Sequence, residues 1–169
     1  MHALARDFIE KAVADMGPFR GHVLEIGSQD VNGEVKDLFP QATYVGIDIM
    51  GGPNVDIVID AADWVPDRTY DCVVCTETFE HTARWREILA VIAQALAPKG
   101  LALITCATNP RKPHSASVDG GRVKYDEHYA NVSRHEFIQA ATVVGLKSEV
   151  TIDFEHGDLY AICRLDKRS

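Results

Sequence analysis

The residues with the most to offer chemically are acids set behind short apolar runs. Glu25 lies within Val23-Leu24-Glu25-Ile26-Gly27-Ser28, Asp48 closes Tyr44-Val45-Gly46-Ile47-Asp48, and Asp60 opens Asp60-Ala61-Ala62-Asp63-Trp64. A glycine directly after an apolar run permits a tight turn whose backbone amides, with a following helix N-terminus, face a ligand. An acid about 20 residues on, at the end of the next run, can accept both hydroxyls of a ribose, and Asp48 occupies that place after Gly27. A third acid, Asp60, can bond an adenine amino group. Carboxylates gathered at one sheet edge repel unless each has a polar or cationic partner, so the three together point to a ligand with hydroxyls or positive charge. Proton-moving candidates are Glu77 and His81, within Glu77-Thr78-Phe79-Glu80-His81, and His128, within Asp126-Glu127-His128-Tyr129.

Elements must exist to position these groups. Leu4, Ala5, Phe8, Ile9, Ala12, Val13 and Met16 recur at helical spacing, which predicts an amphipathic helix over His2 to Met16, stopped by Gly17-Pro18. Strands are predicted at His22 to Ile26, Thr43 to Asp48, Val55 to Ile59, Tyr70 to Cys75 and Leu101 to Cys106. Helices are predicted around Gly33 to Phe39 and Arg84 to Ala97, the latter halted by Pro98-Lys99-Gly100. Ser133-Arg134-His135-Glu136 has capping-box spacing and opens a helix ending at Gly145. Lys147 to Phe154 and Leu159 to Leu165 flank His156-Gly157-Asp158 as a hairpin. Alternating strands and helices predict an α/β, Rossmann-like three-layer sandwich, with a seven-stranded, mostly parallel sheet and an antiparallel C-terminal hairpin strand. Only six residues join Asp48 to the third strand. They span about 24 Å when extended, enough to walk back along a strand of about 16 Å without a helix.

A chain of 169 residues with 46% hydrophobic content can bury a core without disulfides or metal, and one domain over 1–169 is expected. No apolar run approaches bilayer length and no secretory leader is visible, so a cytoplasmic location is expected, with no membrane partner. Cys72, Cys75, Cys106 and Cys163 lie in strand-like runs and suit reduced thiols. Cys72-Val73-Val74-Cys75 has redox-motif spacing, but residues three apart in a strand face opposite ways, so no metal site is expected there or elsewhere. The net charge of −8 argues against nonspecific nucleic-acid binding. Residues 109–135 run against that trend, with five basic and three acidic side chains plus His114, His128 and His135. Within them, 107–132 lacks periodicity and reads as a substrate-side lid. Its cations suit a small anionic acceptor; the alternative is an ordinary solvated loop.

Taken in order, Val23-Leu24-Glu25-Ile26-Gly27, Tyr44 to Asp48, Asp60 to Trp64, Tyr70 to Glu77 with Glu80-His81, and Leu96-Ala97-Pro98-Lys99-Gly100 resemble the class I S-adenosylmethionine-dependent methyltransferases, over most of residues 20–106. The resemblance implies S-adenosyl-L-methionine as cofactor and a small-molecule acceptor. It places Glu25, Gly27 and Ser28 near the methionine moiety and Asp48 with Ile49 at the ribose. Asp60, Ala61 and Trp64, with Asp63 as an alternative, would frame the adenine, and Thr76 and Glu77 would flank the transferring methyl. Two departures stand out: the family's Gly-x-Gly-x-Gly turn is reduced to Gly27 with Gly33 beyond it, and Gly51-Gly52-Pro53 replaces a helix. Neither a Pro-Cys nucleophile nor an Asn-Pro-Pro-Tyr motif after the fourth strand is present, so a nucleic-acid acceptor is not expected. The weakened turn keeps a catalytically silent cofactor-binding protein open as an alternative, and an NAD-binding oxidoreductase is a further one.

Overall fold

A computed structural model describes residues 3–118 and 120–166. His2, where the first helix was expected to start, and Asp119, inside the 107–132 segment, lie outside the described residues. Helix α1 (Ala3–Met16) buries Ala5 and Ile9 and ends at Gly17, whose φ of 73° supplies the left-handed stop that favours glycine. Strand β1 (His22–Ile26) and strand β2 (Thr43–Asp48) pair in parallel, and β3 (Ile57–Val58) continues the sheet beyond β2 without an intervening helix. Strand β4 (Tyr70–Thr76), helix α2 (Trp85–Ala95) and strand β5 (Leu96–Ala107) follow, then α3 (Arg134–Val143), β6 (Leu146–Asp153) and β7 (Asp158–Leu165).

The sheet order is β3-β2-β1-β4-β5-β7-β6. β7 inserts between β5 and β6 and runs antiparallel to both, so β6, at the sheet's edge, keeps the direction of the others. Reversal therefore belongs to one strand of the hairpin. The sheet has helices on both faces. Leu24, Ile26, Val73, Cys75 and Ile104 pack with residues of α2 and α3, while Val23, Cys72, Val74 and Leu103 pack with those of α1. Because both faces are covered, the central strands read as unbroken apolar runs rather than alternating ones. Cys72 and Cys75 fall in the two separate cores, as the period of two requires.

Three elements depart from expectation. Residues 33–39 form only a 3-10 turn, Lys36–Leu38; Gly33 at its start and Pro40 at its end leave too few residues to nucleate an α-helix. The third strand contracts to two residues because Asp56 already satisfies Gly46 on both sides: its amide donates to the Gly46 carbonyl (2.8 Å) and its carboxylate accepts from the Gly46 amide (2.8 Å). Helix α2 stops at Ala95, and Leu96 pairs with Tyr70 as the first residue of β5. Pro98-Lys99-Gly100 therefore lies inside a strand whose register shifts between Tyr70 and Cys72. The capping box on α3 forms as read, with Ser133 Oγ accepting from the Glu136 amide at 3.2 Å.

Candidate active site

The carboxyl ends of β1, β2 and β4 open into one cleft of about 1160 Å³, covered on its far side by residues 110–128. At the end of β1 the chain turns at Gly27 with φ 76°. A Cβ there would strike the Thr78 hydroxyl, so only glycine fits. The loop amides turn inward. Those of Gly27 and Ser28 donate to the Ile47 carbonyl (2.9 and 3.2 Å), that of Asp30 to the Pro53 carbonyl, and that of Gly33 to the Asp30 carboxylate. With no α-helix following, the expected display of amides and a helix N-terminus toward a ligand does not form. Side chains are what this loop offers.

Asp48 is held from both sides. Its Oδ2 accepts from the Gln29 amide at 3.1 Å and its Oδ1 from the Met50 amide at 2.9 Å, which fixes the carboxylate at the cleft wall. Asp60 accepts from the Ala62 amide (2.9 Å) and from Arg84 (2.7 Å), and the same guanidinium grips Asp63 with two bonds of 2.8 and 2.6 Å. The Arg84 pairing draws Asp63 below the usual carboxylate range. Ile49, Ile59, Ala61 and Ile88 give this end of the cleft apolar surface. Trp64 does not line it. Its ring is buried in the core 6.2 Å from that of Tyr70, and Asp63 likewise stands off the cleft.

Glu25 is 4% exposed, yet it borders the cleft. Its Oε2 has no hydrogen-bond partner, and the Tyr44 hydroxyl nearby does not close a bond of ordinary geometry either. Burial pushes its carboxyl up to about 8; Glu34 and Asp48 add repulsion, while Tyr44 and Lys36 pull the other way. A carboxyl in this condition is short of a positive partner.

Beyond β4 the chain enters a strained residue, Glu77 at φ 51°, and then a 3-10 turn, Phe79–His81. Phe79 anchors this turn, fully buried against Trp85 (5.6 Å between ring centres) and Phe137 (6.3 Å). Glu77 accepts from Thr105 Oγ1 (2.9 Å) and from Arg111 (3.3 Å), which also holds buried Asp158 at 2.6 Å. Burial lowers the His81 imidazole to about 4, with His114 adding to the effect, so the ring is neutral at pH 7. Glu80 beside it is fully buried and held well above the ordinary carboxylate range by burial and by Glu77. His128 is exposed at the rim.

The covering segment 107–132 leaves β5 and returns to the body of the protein with two backbone bonds, Ala130 to the Glu80 carbonyl and Val132 to the Ala107 carbonyl. Internally it is gathered by Glu127. That carboxylate accepts from Ser115 (2.8 Å), Ser117 (2.7 Å) and the Lys124 amide (2.9 Å), which lower it to about 2, the Lys124 amide contributing most. Arg111, Lys112, His114, Arg122, Lys124 and His128 all border the cleft from this side.

Of the site residues read from sequence, Glu25, Gly27, Ser28, Asp48, Ile49, Asp60, Ala61, Thr76, Glu77, His81 and His128 meet at this one cleft; Trp64 does not. Sequence reasoning missed Arg84, Arg111 and Glu80. Both arginines pair with acids more than 20 residues away, which no spacing rule discloses; Glu80 stands next to a named histidine within a quoted motif but carries no assigned role.

Residues 1–149 match the family model described as a methyltransferase domain. The chain belongs to the methyltransferase-domain family. Among solved structures it is similar to that titled the DhpI-SAH complex, at 25% identity and a TM-score of 0.71, covering 98% of this chain and 85% of that one. It also resembles the 1,6-didemethyltoxoflavin-N1-methyltransferase of Burkholderia thailandensis, with bound 1,6-didemethyltoxoflavin and S-adenosylhomocysteine (13% identity, TM-score 0.70, covering 96% and 79%). A third likeness is to CalS10, an amino pentose methyltransferase from Micromonospora echinaspora with bound SAM (17% identity, TM-score 0.68, 95% and 90%). No curated protein matches the chain in sequence. Among the described residues no helix is long and apolar enough to cross a membrane.

Proposed function

We propose that this methyltransferase binds S-adenosylmethionine along the strand ends and transfers its methyl group to a small anionic acceptor held beneath residues 107–132. The observation that carries the reading is the polarity of the cleft, with Glu25, Asp48, Asp60 and Glu77 on the strand-end wall, and on the facing one six cationic or basic side chains that outnumber its two acids, Asp126 and Glu127. A sulfonium with an ammonium group suits the first wall, and an anion suits the second. Asp48 binds the ribose hydroxyls, Asp60 and Ala61 face the adenine, and Glu25 with Gly27 and Ser28 borders the amino end. Thr76 and Glu77 lie at the methyl end. The inward-turned loop amides argue against a dinucleotide, whose pyrophosphate needs free amides and a helix N-terminus.

When bound, S-adenosylmethionine would supply an activated methyl group, which a lone pair of the acceptor would take as the electrons of the carbon–sulfur bond return to sulfur. Alignment and exclusion of water supply most of the acceleration. Where the acceptor must lose a proton, His128 takes it: Glu77 is committed to Thr105 and Arg111, and the buried His81 ring is a poor proton acceptor. The four free cysteines, all buried, fit the reducing cytoplasm where we place the protein.

The test is calorimetry with S-adenosylmethionine, followed by labelled-methyl transfer to a panel of matched carboxylate, phosphate-ester and neutral acceptors. Binding of cofactor with transfer favouring anions, and weakened by salt, is the expected result. Transfer to neutral acceptors with no salt dependence overturns the anionic acceptor, cofactor binding without any transfer supports the silent reading, and absence of cofactor binding overturns the whole.

A further inference from the structure

We propose that Glu80, His81 and His114 form a binding site for one divalent first-row transition-metal ion at the acceptor end of the cleft. The inference stands on three facts. One carboxylate oxygen of Glu80 and one ring nitrogen from each histidine all lie within 4.8 Å of one another. Glu80 is fully buried, and neither of its oxygens has a hydrogen-bond partner of ordinary geometry, although the Glu80 and Ala107 amides lie close to the carboxylate. Finally, His81 Nδ1 is buried with no partner. A buried carboxylate without a well-formed donor is costly unless it is protonated or meets a cation, and here two imidazoles converge on it.

The orientation of each ring fits ligation. His114 Nδ1 lies 3.2 Å from the Lys112 carbonyl. A carbonyl can only accept, so Nδ1 carries the proton and Nε2 presents a lone pair. This is the outer hydrogen bond that metal-bound histidines characteristically make. The other nitrogen of the His81 ring faces the His128 backbone carbonyl as a donor, while Nδ1 is left unpartnered. The rings of His81 and His114 stand nearly perpendicular, 5.0 Å between centres, and Tyr129 packs on both (5.5 and 5.0 Å). Its hydroxyl is turned to Asn131 at 3.0 Å, so Tyr129 walls the site without competing for it.

Bonds of about 2.0–2.2 Å in a tetrahedral site place ligand atoms about 3.4 Å apart. The present spacing therefore closes by small side-chain rotations. Two nitrogens and one oxygen suit zinc, cobalt or manganese and not calcium or magnesium, which take oxygen ligands. His81 and His114 border the cleft and Glu80 stands behind them. A metal held by these three keeps a coordination position facing the cleft, the arrangement of catalytic rather than structural sites. An oxygen of the anionic acceptor would fill that position. This role alone rests on the proposed function; the metal site does not.

The experiment uses the full chain, stripped with a chelator and dialysed, then titrated with Co²⁺ and with Zn²⁺. One equivalent of metal is expected, with a visible Co²⁺ spectrum of low coordination number that Zn²⁺ displaces. His114→Ala, at a partly exposed loop position, should weaken binding at least tenfold, and Glu80→Gln should do the same while keeping the buried shape. His135→Ala, on the exposed start of α3, should change nothing. Failure of the stripped protein to bind, or equal binding by His114→Ala and Glu80→Gln, overturns the site. Loss of binding in His135→Ala also overturns it, by showing a surface histidine as the ligand. Calorimetry with S-adenosylmethionine on the same sample separates the two proposals: cofactor binding without metal sinks only the metal site, and metal binding without cofactor sinks only the function.

Discussion

Along the strand-end wall of the cleft, the backbone sets where the acids go. Asp48 is pinned by two amides and lies at the end of a strand in parallel register with β1, and Glu25 is the fourth residue of β1 itself. The facing wall, residues 110–128, contains no helix or strand among its described residues and is gathered by one carboxylate, Glu127, through two serines and an amide. One wall is fixed by the sheet and carries negative charge; the other is fixed by side chains and carries positive charge. A rigid wall suits a cofactor that is the same in every cycle. A wall held by a few polar contacts can adapt to an acceptor and release the product.

The sharpest way to probe the rigid wall is through Glu25, where the largest effect is expected. Its folded-state pKa of about 8 lies above the ordinary carboxylate value of 4.5. Below pH 4.5 both folded and unfolded chains hold the proton. Between pH 4.5 and 8 the unfolded chain releases it and the folded one does not, so stability falls as pH rises, by about 5 kcal/mol in all. Urea midpoints of Glu25→Gln should lack this decline. The cofactor's ammonium should draw the carboxyl down again, so S-adenosylmethionine should bind more tightly at pH 7.2 than at pH 6 in the native protein, both below the α-amino titration, and equally in the variant. A native protein with a flat stability profile would mean that Glu25 already has a partner. On the adaptable wall, His128→Ala should lower kcat about a hundredfold, the scale of a lost general base, for an acceptor whose attacking atom carries a proton, and leave cofactor affinity unchanged in calorimetry; the reverse pattern would move His128 to the cofactor wall. Gly27→Ala comes next, with a loss of about 2 kcal/mol in unfolding free energy from the left-handed backbone and the collision with Thr78. Thr78→Ala should recover part of it.

The same contrast explains what could be read from the chain before folding. His22–Ile26 and Thr43–Asp48 were legible residue for residue, because strands buried on both faces leave continuous apolar runs bounded by turn residues. The acids at their ends were legible because position in a strand fixes position in the sheet. That Trp64 packs in the core beside Tyr70 instead of lining the cleft was not legible, because an aromatic residue beside a cleft and one in a core carry the same signal. The 33–39 helix was misjudged because a few favourable residues do not overcome the cost of nucleation. The 107–132 segment was recognisable only as an absence of pattern. Its organising residue, Glu127, bonds serines ten and twelve residues away, a distance at which sequence spacing says nothing.

The two smallest effects test the walls against each other. Asp48→Ala should weaken S-adenosylmethionine binding about tenfold, the scale of a lost charge-assisted hydrogen bond, without altering the preference among acceptors; an unchanged cofactor affinity would remove Asp48 from the ribose. Glu127→Ala should do the opposite. With Ser115, Ser117 and the Lys124 amide released, KM for the acceptor should rise severalfold while cofactor affinity stays put. The Glu127 carboxyl is lowered to about 2, so its hold is complete above the ordinary carboxylate range and is lost only as pH falls toward 2. The acceptor KM of the native protein should therefore carry no pH dependence from this residue between pH 5 and 9, and the ratio of native to Glu127→Ala values should be constant across that window. A ratio that drifts with pH would show that the lid is closed by a group titrating near neutrality, and a fall in cofactor affinity would show that the two walls are mechanically one.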